Sequence, residues 1–589
     1  MNIIGISSYF HDSSCALIQD SELVTAISEE RFSRRKNDAR LPIRSFRECL
    51  KAGHIDITDV DCVAYYENPY KKLERQLKSG FNTCSDFDLT WIDCHKPFRE
   101  FSEILGYEGK ILHYDHHLSH AAGSFYFSGF KDAAILTSDG VGEWETTTYG
   151  SGDLSSIDLF NSVKYPNSLG LLYSAITNYL GFKVLNGEYK VMGLAPYGSS
   201  YYLGKLEKTL TVNKGKLELD KKYFDFTQIS RMYTDDLISL IGFPPRLPES
   251  EILECHMNLA KSLQVLLEKT LIEQMNYLKE KVNSNNLCMS GGVALNCVAN
   301  SKIKNTKLFK NLFIAPASGD AGSALGAAAL AHVDLTGERH SHDRLKSVSL
   351  GPLYGTLDII DLLKSMECDY KHYPETDQLL ESVASYIADG KVIGWFQGRM
   401  EFGPRALGNR SILADPRNPT MRDRLNALIK KREAFRPFAP AILNDHKENH
   451  LNLEHPSPFM LETCQVISNI DLPAITHVDG SCRPQTVEKS ENKIFYQLIK
   501  KFYEKTGCPI LVNTSFNVRG EPIVCTPLDA LRCFGNSGID ILVLENCLID
   551  RSMLSEDFKK MSEIEMDSVG MSQEAFSSTT KNDGVYSFI

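Results

Sequence analysis

Three imidazoles fall within five residues at His116, His117 and His120, the densest set of potential metal ligands in the chain. Apolar Ala121, Ala122, Phe125 and Tyr126 follow at once, so the run is predicted to open a helix. In a helix His116 and His120 stand at i and i+4 on one face, close enough to share one divalent ion, while His117 points elsewhere. Taken alone, the spacing fits equally well a pair of satisfied polar residues at a helix start. A second concentration of chemistry lies between Trp395 and Arg436, where ten Lys or Arg face four acidic residues, a local charge of +6. These arginines sit among Gly, Pro and Phe rather than at helical surface spacing. That favours a pocket for phosphate, which guanidinium binds in bidentate fashion, over a merely solvated basic face.

The elements that must position these groups begin with short β-rich runs. Residues 2–7 and 15–19 flank the polar stretch Ser8–Ser14, which contains His11, and 23–28 supplies a third strand. A second unit of the same kind follows, with strands at 133–137 and 146–150 around Ser138-Asp139-Gly140-Val141-Gly142-Glu143. Either loop alone could be an ordinary turn. Two of them, small and rich in Gly, Ser and Asp, are what a duplicated actin-like ATPase core uses to bring bare backbone N–H groups to a phosphate.

A third loop, Ser290-Gly291-Gly292, lies between a predicted strand at 286–289 and a predicted helix at 293–300, whose N-terminus would face an anion. A fourth, 316–322, follows a strand at 312–315 and leads into the Ala-rich 324–331; its Asp320 reads either as a ligand or as an N-cap. Asn186–Ala195, with Glu188 and Lys190, reads as a substrate-contacting loop. The pattern breaks into Gly, Pro, Leu and Tyr near 347–355, which places a domain boundary there.

Composition bounds the function. At 589 residues the chain exceeds one core, and 42% hydrophobic with 24% charged residues is a globular balance. No apolar run reaches a membrane span, and the N-terminus reads as a strand without a basic region ahead of it, so a cytoplasmic protein without a membrane partner is expected. Fifteen scattered cysteines without a CxxC suit reduced thiols. A net charge of −11 argues against a nucleic-acid partner.

Nine blocks carry a family resemblance: HDSS at 11–14, HHLSHAAGSFY at 116–126, DGVGEWETT at 139–147, NGEYKVMGLAPYG at 186–198, SGGVALN at 290–296, SGDAGSALGAA at 318–328, FGPRALGNRSIL at 402–413, KKREAFRPFAP at 430–440 and NTSFNVRGEPI at 513–523. With them the chain resembles, over nearly its whole length, the O-carbamoyltransferases that include nodulation protein U and the cephalosporin hydroxymethyl and tobramycin carbamoyltransferases. Cys482 departs from the pattern, standing where an apolar or small residue is more usual.

The resemblance implies an α/β protein with a duplicated actin-like ATPase (ASKHA) domain over 1–350, a YrdC-like α/β domain over 356–550 and a tail at 551–589. It implies that the second domain makes carbamoyl adenylate from carbamoyl phosphate and Mg-bound ATP, and that the first passes the carbamoyl group to a hydroxyl of a small-molecule acceptor. His116, His120 and Asp320 would be the metal ligands, a two-imidazole, one-carboxylate set that favours Fe(II) while admitting Zn or Mn. His11 would be the general base, unless it is a loop histidine without a role, with Asp139, Lys430 and Arg436 as further catalytic residues. Gly291, Gly292, Asn296, Glu188, Lys190, Arg405, Arg410, Arg432, Arg483, Asn513 and Ser515 would bind nucleotide or substrate. A homodimer is a mild expectation. The competing readings are a sugar-type kinase of the actin-like fold, which leaves the basic C-terminal half unused, and a nucleotide-binding regulatory protein without chemistry.

Overall fold

A computed structural model of the chain describes residues 1–79, 92–227, 231–430, 433 and 435–554, without the side chains of 428 and 430. Two compact units are present, one built from Met1–Ser33 and Asn37–Leu345, the other from Arg34–Lys36 and the described residues from Lys346 to Leu554.

In the first unit β1 (Asn2–Ser7), β2 (Ser14–Gln19) and β3 (Glu22–Ser28) form an antiparallel meander. On the other side of β1 the strands β4 (Cys62–Tyr65) and β5 (Lys110–His113) add in parallel, giving the order β3-β2-β1-β4-β5. Ile3, Ile4 and Ile6 are fully buried, as a strand covered on both faces requires.

The second sheet repeats this topology. A meander of β6 (Asp132–Ser138), β7 (Glu145–Asp153) and β8 (Ser156–Lys164) precedes the separate hairpin β9 (Leu210–Asn213) and β10 (Lys216–Leu219). Then β11 (Asn286–Ser290) and β12 (Asn311–Ile314) add parallel to β6, for the order β12-β11-β6-β7-β8. The loops after β1 and after β6 therefore occupy equivalent positions in two copies of one fold.

A helix over His116–Phe125 joins the sheets and packs against the Ala-rich helix Ser323–Thr336. The approach is so close that a Cβ at Gly326 would fall inside the van der Waals shell of the Ser119 carbonyl oxygen. Gly326→Ala is expected to force the helices apart at an overpacking cost of about 1–3 kcal/mol. Thermal unfolding checks this, and an unchanged midpoint would contradict the close crossing.

One sequence expectation needs correction. The helix expected over 293–300 begins later, with a 3-10 turn at Gly292–Leu295 and the helix at Cys297–Asn305. Asn296 interrupts them by turning its side chain into an N-cap that accepts from the Ala299 N–H.

The second unit is built on one mixed sheet. Its strands are β13 (Lys371–His372), β14 (Ile393–Phe396), β15 (Arg410–Ala414), β16 (Ala439–Leu443), β19 (Gln485–Val487), β20 (Ile510–Ser515), β21 (Ile541–Leu544) and β22 (Cys547–Asp550), with β17 (Cys464–Gln465) and β18 (Ser481–Cys482) pairing apart. The sheet order is β13-β22-β21-β14-β15-β20-β16-β19. Trp395, Ile412, Leu511 and Val543 are fully buried in one core, and the Trp395 indole N–H donates to the Gly408 carbonyl at 2.9 Å. The tail read at 551–589 lies, from 555 on, outside the described residues. Among the described residues no helix is long and apolar enough to cross a membrane.

Candidate active site

The His116–Phe125 helix places both predicted imidazoles on one buried face. Its N-terminus is not capped by Asp115, whose carboxylate takes the Lys71 ammonium at 2.6 Å. Glu143, from the loop after β6, accepts instead from the His116 N–H at 2.9 Å and the Asn68 N–H at 2.6 Å. Burial raises the Glu143 carboxyl to about 7. His117 turns away, bonding Thr137 Oγ1 through Nδ1 at 2.6 Å, and burial followed by its two histidine neighbours holds it well below the ordinary imidazole value.

Two carboxylates meet the paired imidazoles. Asp139, just past β6, brings Oδ2 to 3.2 Å from His116 Nε2 and 3.5 Å from His120 Nε2. Asp320, opening a 3-10 turn past β12, brings Oδ1 to 3.7 and 3.5 Å from the same two atoms. The four residues are buried and offer ligand atoms within 4.8 Å of one another. Donors about 2.1 Å from an ion at tetrahedral angles lie roughly 3.4 Å apart, close to the spacing found here. His120 Nε2 and both Asp320 oxygens are buried without a hydrogen-bond partner. Such orphaned atoms are costly unless something cationic joins them. His120 Nδ1 meets the Ser323 hydroxyl at 3.2 Å, which orients the ring and leaves Nε2 for an ion. These residues fit a divalent metal. Asp139, expected among the catalytic residues, belongs geometrically with His116, His120 and Asp320.

Gly291 and Gly292 explain how Asp139 is aimed. Gly291 has φ +92° and leaves no room for a Cβ against the Ser138 carbonyl, while the Gly292 N–H donates to Asp139 Oδ1 at 2.8 Å. The turn expected to hold an anionic ligand holds the protein's own carboxylate, leaving Oδ2 for the histidines.

His11 reaches the same group from the equivalent loop after β1. Its Nε2 lies 3.6 Å from Asp320 Oδ2 and its Nδ1 2.9 Å from Asp12 Oδ2. Its side chain is 15% exposed, against 0–7% for the other four, so this is the side of the cluster most open to solvent. Burial opposes charge on His11, but Asp320 and the Asp12 hydrogen bond outweigh it and raise the ring to about 10. Burial likewise opposes charge on His120, which the nearby carboxylates of Asp139 and Asp320 outweigh, raising the ring to about 9. The negative excess that raises both rings is what a bound dication would offset.

The remaining residues divide. Glu188 opens the helix Glu188–Leu194 and accepts from Ser174 Oγ at 2.8 Å and from the Leu185 and Gly187 N–H groups at 3.2 Å, so it holds its own loop. The Lys190 ammonium lies 5.5 Å from the Phe182 ring centre. Asn296 is a cap, as above, and its Nδ2 donates to Gln264.

In the second unit four arginines of the basic run hold the protein's own carbonyls and carboxylates. Arg410 is fully buried, 3.5 Å over the Phe396 ring, with Nη1 donating to the Gln397 and Asn409 carbonyls. It braces the sheet rather than facing a phosphate. Arg399 binds the Leu350 and Gly351 carbonyls, Arg417 pairs with Asp415 at 2.6 Å and Arg424 with Asp540 at 2.7 Å. Asn513, 1% exposed, donates to Gln485 at 2.7 Å and to the carbonyl of Ala406, beside half-buried Arg405. Ser515 donates to Asn517 Oδ1 at 2.8 Å, Arg483 is half-buried just past β18, and Arg436 Nη1 lies 3.8 Å from Glu433 Oε2. The Lys430 side chain and Arg432 fall outside the described residues.

Comparison with known proteins gives the family. Residues 2–329 match the family model Carbamoyltransferase N-terminus, and residues 384–551 match Carbamoyltransferase C-terminus. The chain belongs to the carbamoyltransferase family and is an enzyme, a transferase. Nodulation protein NolNO of Sinorhizobium fredii (strain NBRC 101917 / NGR234) is 35% identical over 94% of this chain and 81% of its own length. The 3'-hydroxymethylcephem-O-carbamoyltransferase of Amycolatopsis lactamdurans is 27% identical over 92% of this chain and 98% of its own. Among solved structures, T. kodakarensis HypF aligns at a TM-score of 0.32 with 13% identity, over 58% of this chain and 50% of that one.

Proposed function

We propose that the protein is an ATP-dependent O-carbamoyltransferase working in two half-reactions, with an actin-like first unit and a YrdC-like second unit. In the second unit water hydrolyses carbamoyl phosphate to carbamate and inorganic phosphate, and a carbamate oxygen then attacks the α-phosphorus of Mg-bound ATP, breaking its bond to the β-phosphate, releasing pyrophosphate and forming carbamoyl adenylate. Arg405, Arg436, Arg483 and Ser515, with Lys430 and Arg432, are the groups for the phosphates there.

In the first unit the carbamoyl group passes to a hydroxyl of a small-molecule acceptor, and AMP leaves. With the charge of Asp320 offset by a bound dication, His11, the most exposed member of the cluster, would be neutral and take the hydroxyl proton on the imidazole nitrogen facing Asp320. Asp320 and Asp12 fix the ring between them. His116, His120, Asp139 and Asp320 would hold a divalent transition metal, Fe(II), Zn or Mn, which would polarise the carbamoyl carbonyl as a Lewis acid. The observation that carries the reading is this buried two-histidine, two-carboxylate cluster with His11 at its open side. The name of the Amycolatopsis relative supports an acceptor presenting a hydroxymethyl group.

Pyrophosphate release tests the reading. Purified enzyme with ATP is expected to release pyrophosphate only when carbamoyl phosphate is added. Formation of ADP in place of AMP, or release indifferent to carbamoyl phosphate, would point to a kinase or a regulatory ATPase.

A further inference from the structure

Two thiols stand opposite one another on the small β17–β18 sheet of the second unit. Cys464 and Cys482 are direct partners in its antiparallel register, and their sulfurs lie 3.8 Å apart. Directly opposed residues of an antiparallel pair have Cα atoms about 4.5–5.5 Å apart, inside the range of about 4.4–6.8 Å that a disulfide spans. Small side-chain rotations can therefore join these sulfurs while the backbone stays in place.

The two differ in access. Cys482 is 4% exposed, whereas Cys464 is only partly covered. A second pair gives the contrast: Cys15 and Cys49 interact in the first unit, but both are 0% exposed.

We propose that Cys464 and Cys482 form a dithiol–disulfide modification site served by low-molecular-weight disulfides of the glutathione type. The Cys464 thiolate attacks the small disulfide, forming a mixed disulfide and expelling one thiol. The Cys482 thiolate then attacks the Cys464 sulfur, closing the Cys464–Cys482 bond and expelling the second thiol. In sum two protein thiols are oxidised and one small disulfide is reduced to two thiols, so electrons and protons balance. Exposure sets the order, because an incoming disulfide reaches Cys464 before buried Cys482.

Full-length native protein is equilibrated anaerobically in glutathione buffers from fully reduced to fully oxidised, quenched in acid, unfolded, alkylated and digested for mass spectrometry. The expected result is a linked peptide pair joining Cys464 to Cys482, two hydrogens lighter than the separate peptides and abolished by dithiothreitol, with Cys15 and Cys49 fully alkylated. In Cys464→Ser, Cys482 is expected to stay fully alkylated in the oxidised buffers, since alone it is out of reach. The proposal is overturned if Cys464 stops at the mixed glutathione disulfide, if both thiols remain alkylated in every buffer, or if Cys15 and Cys49 oxidise in step with them. Glutathionylation of Cys482 in Cys464→Ser would overturn the order of attack.

Discussion

The Asp139→Ala protein is expected to retain no transition metal, like His120→Ala, and to lose carbamoyl transfer. Asp139 Oδ2 stands 3.2 Å from His116 Nε2 and 3.5 Å from His120 Nε2, while Oδ1 is held by the Gly292 N–H. That is the placement of a ligand, with one oxygen anchored and the other presented. Partners one layer out from an ion are worth about 10–100-fold in affinity, so a direct ligand should cost roughly 100-fold or more. His117→Ala, by contrast, should keep the ion, because that ring faces Thr137. Elemental analysis of anaerobically purified proteins checks all three. If Asp139→Ala kept the wild-type metal content while losing transfer, Asp139 would be a proton-transfer group and not a ligand.

A second large effect separates the two half-reactions. On the proposed division of the half-reactions, Arg436→Ala is expected to remove a charge-assisted phosphate contact worth about 1.5–3 kcal/mol, or roughly tenfold to a hundredfold in the formation of carbamoyl adenylate. Both pyrophosphate release and final product should fall together. His120→Ala should leave consumption of ATP and carbamoyl phosphate largely intact and abolish transfer, because His120 lies in the other unit. Chemically made carbamoyl adenylate should therefore restore product to Arg436→Ala and not to His120→Ala. Chromatography of pyrophosphate, AMP and carbamoylated acceptor decides it. Adenylate formation by Arg436→Ala at the wild-type rate would falsify the assignment of one half-reaction to each unit.

Legibility in the sequence followed the range of the interaction. The helix carrying His116 and His120 was legible, and so was the divergence of His117, because helical spacing fixes both within one turn. The four arginines that grip carbonyls or carboxylates were not. A guanidinium among Gly, Pro and Phe looks the same in sequence whether it faces a phosphate, as read for Arg410, or the Gln397 and Asn409 carbonyls that Arg410 binds. The late start of the Cys297–Asn305 helix escaped for a like reason. The Gly292 N–H that a free helix would present to an anion is given to Asp139, 153 residues away.

By itself the sequence determined the duplicated strand–loop–strand units, the imidazole pair and the family, since alternation, i,i+4 spacing and ordered motifs are local properties of the chain. Only the tertiary structure decided that Asp139 joins His116, His120 and Asp320 in one buried cluster, that Glu143 and not Asp115 caps the helix carrying the two histidines, and that His11 is the more exposed residue beside them. The reason is the fold's internal repeat. Equivalent loops past β1 and β6 deliver His11 and Asp139, and the turn past β12 delivers Asp320, to one end of a helix crossing made close by Gly326. Which side chains meet there depends on how two sheets and two helices pack.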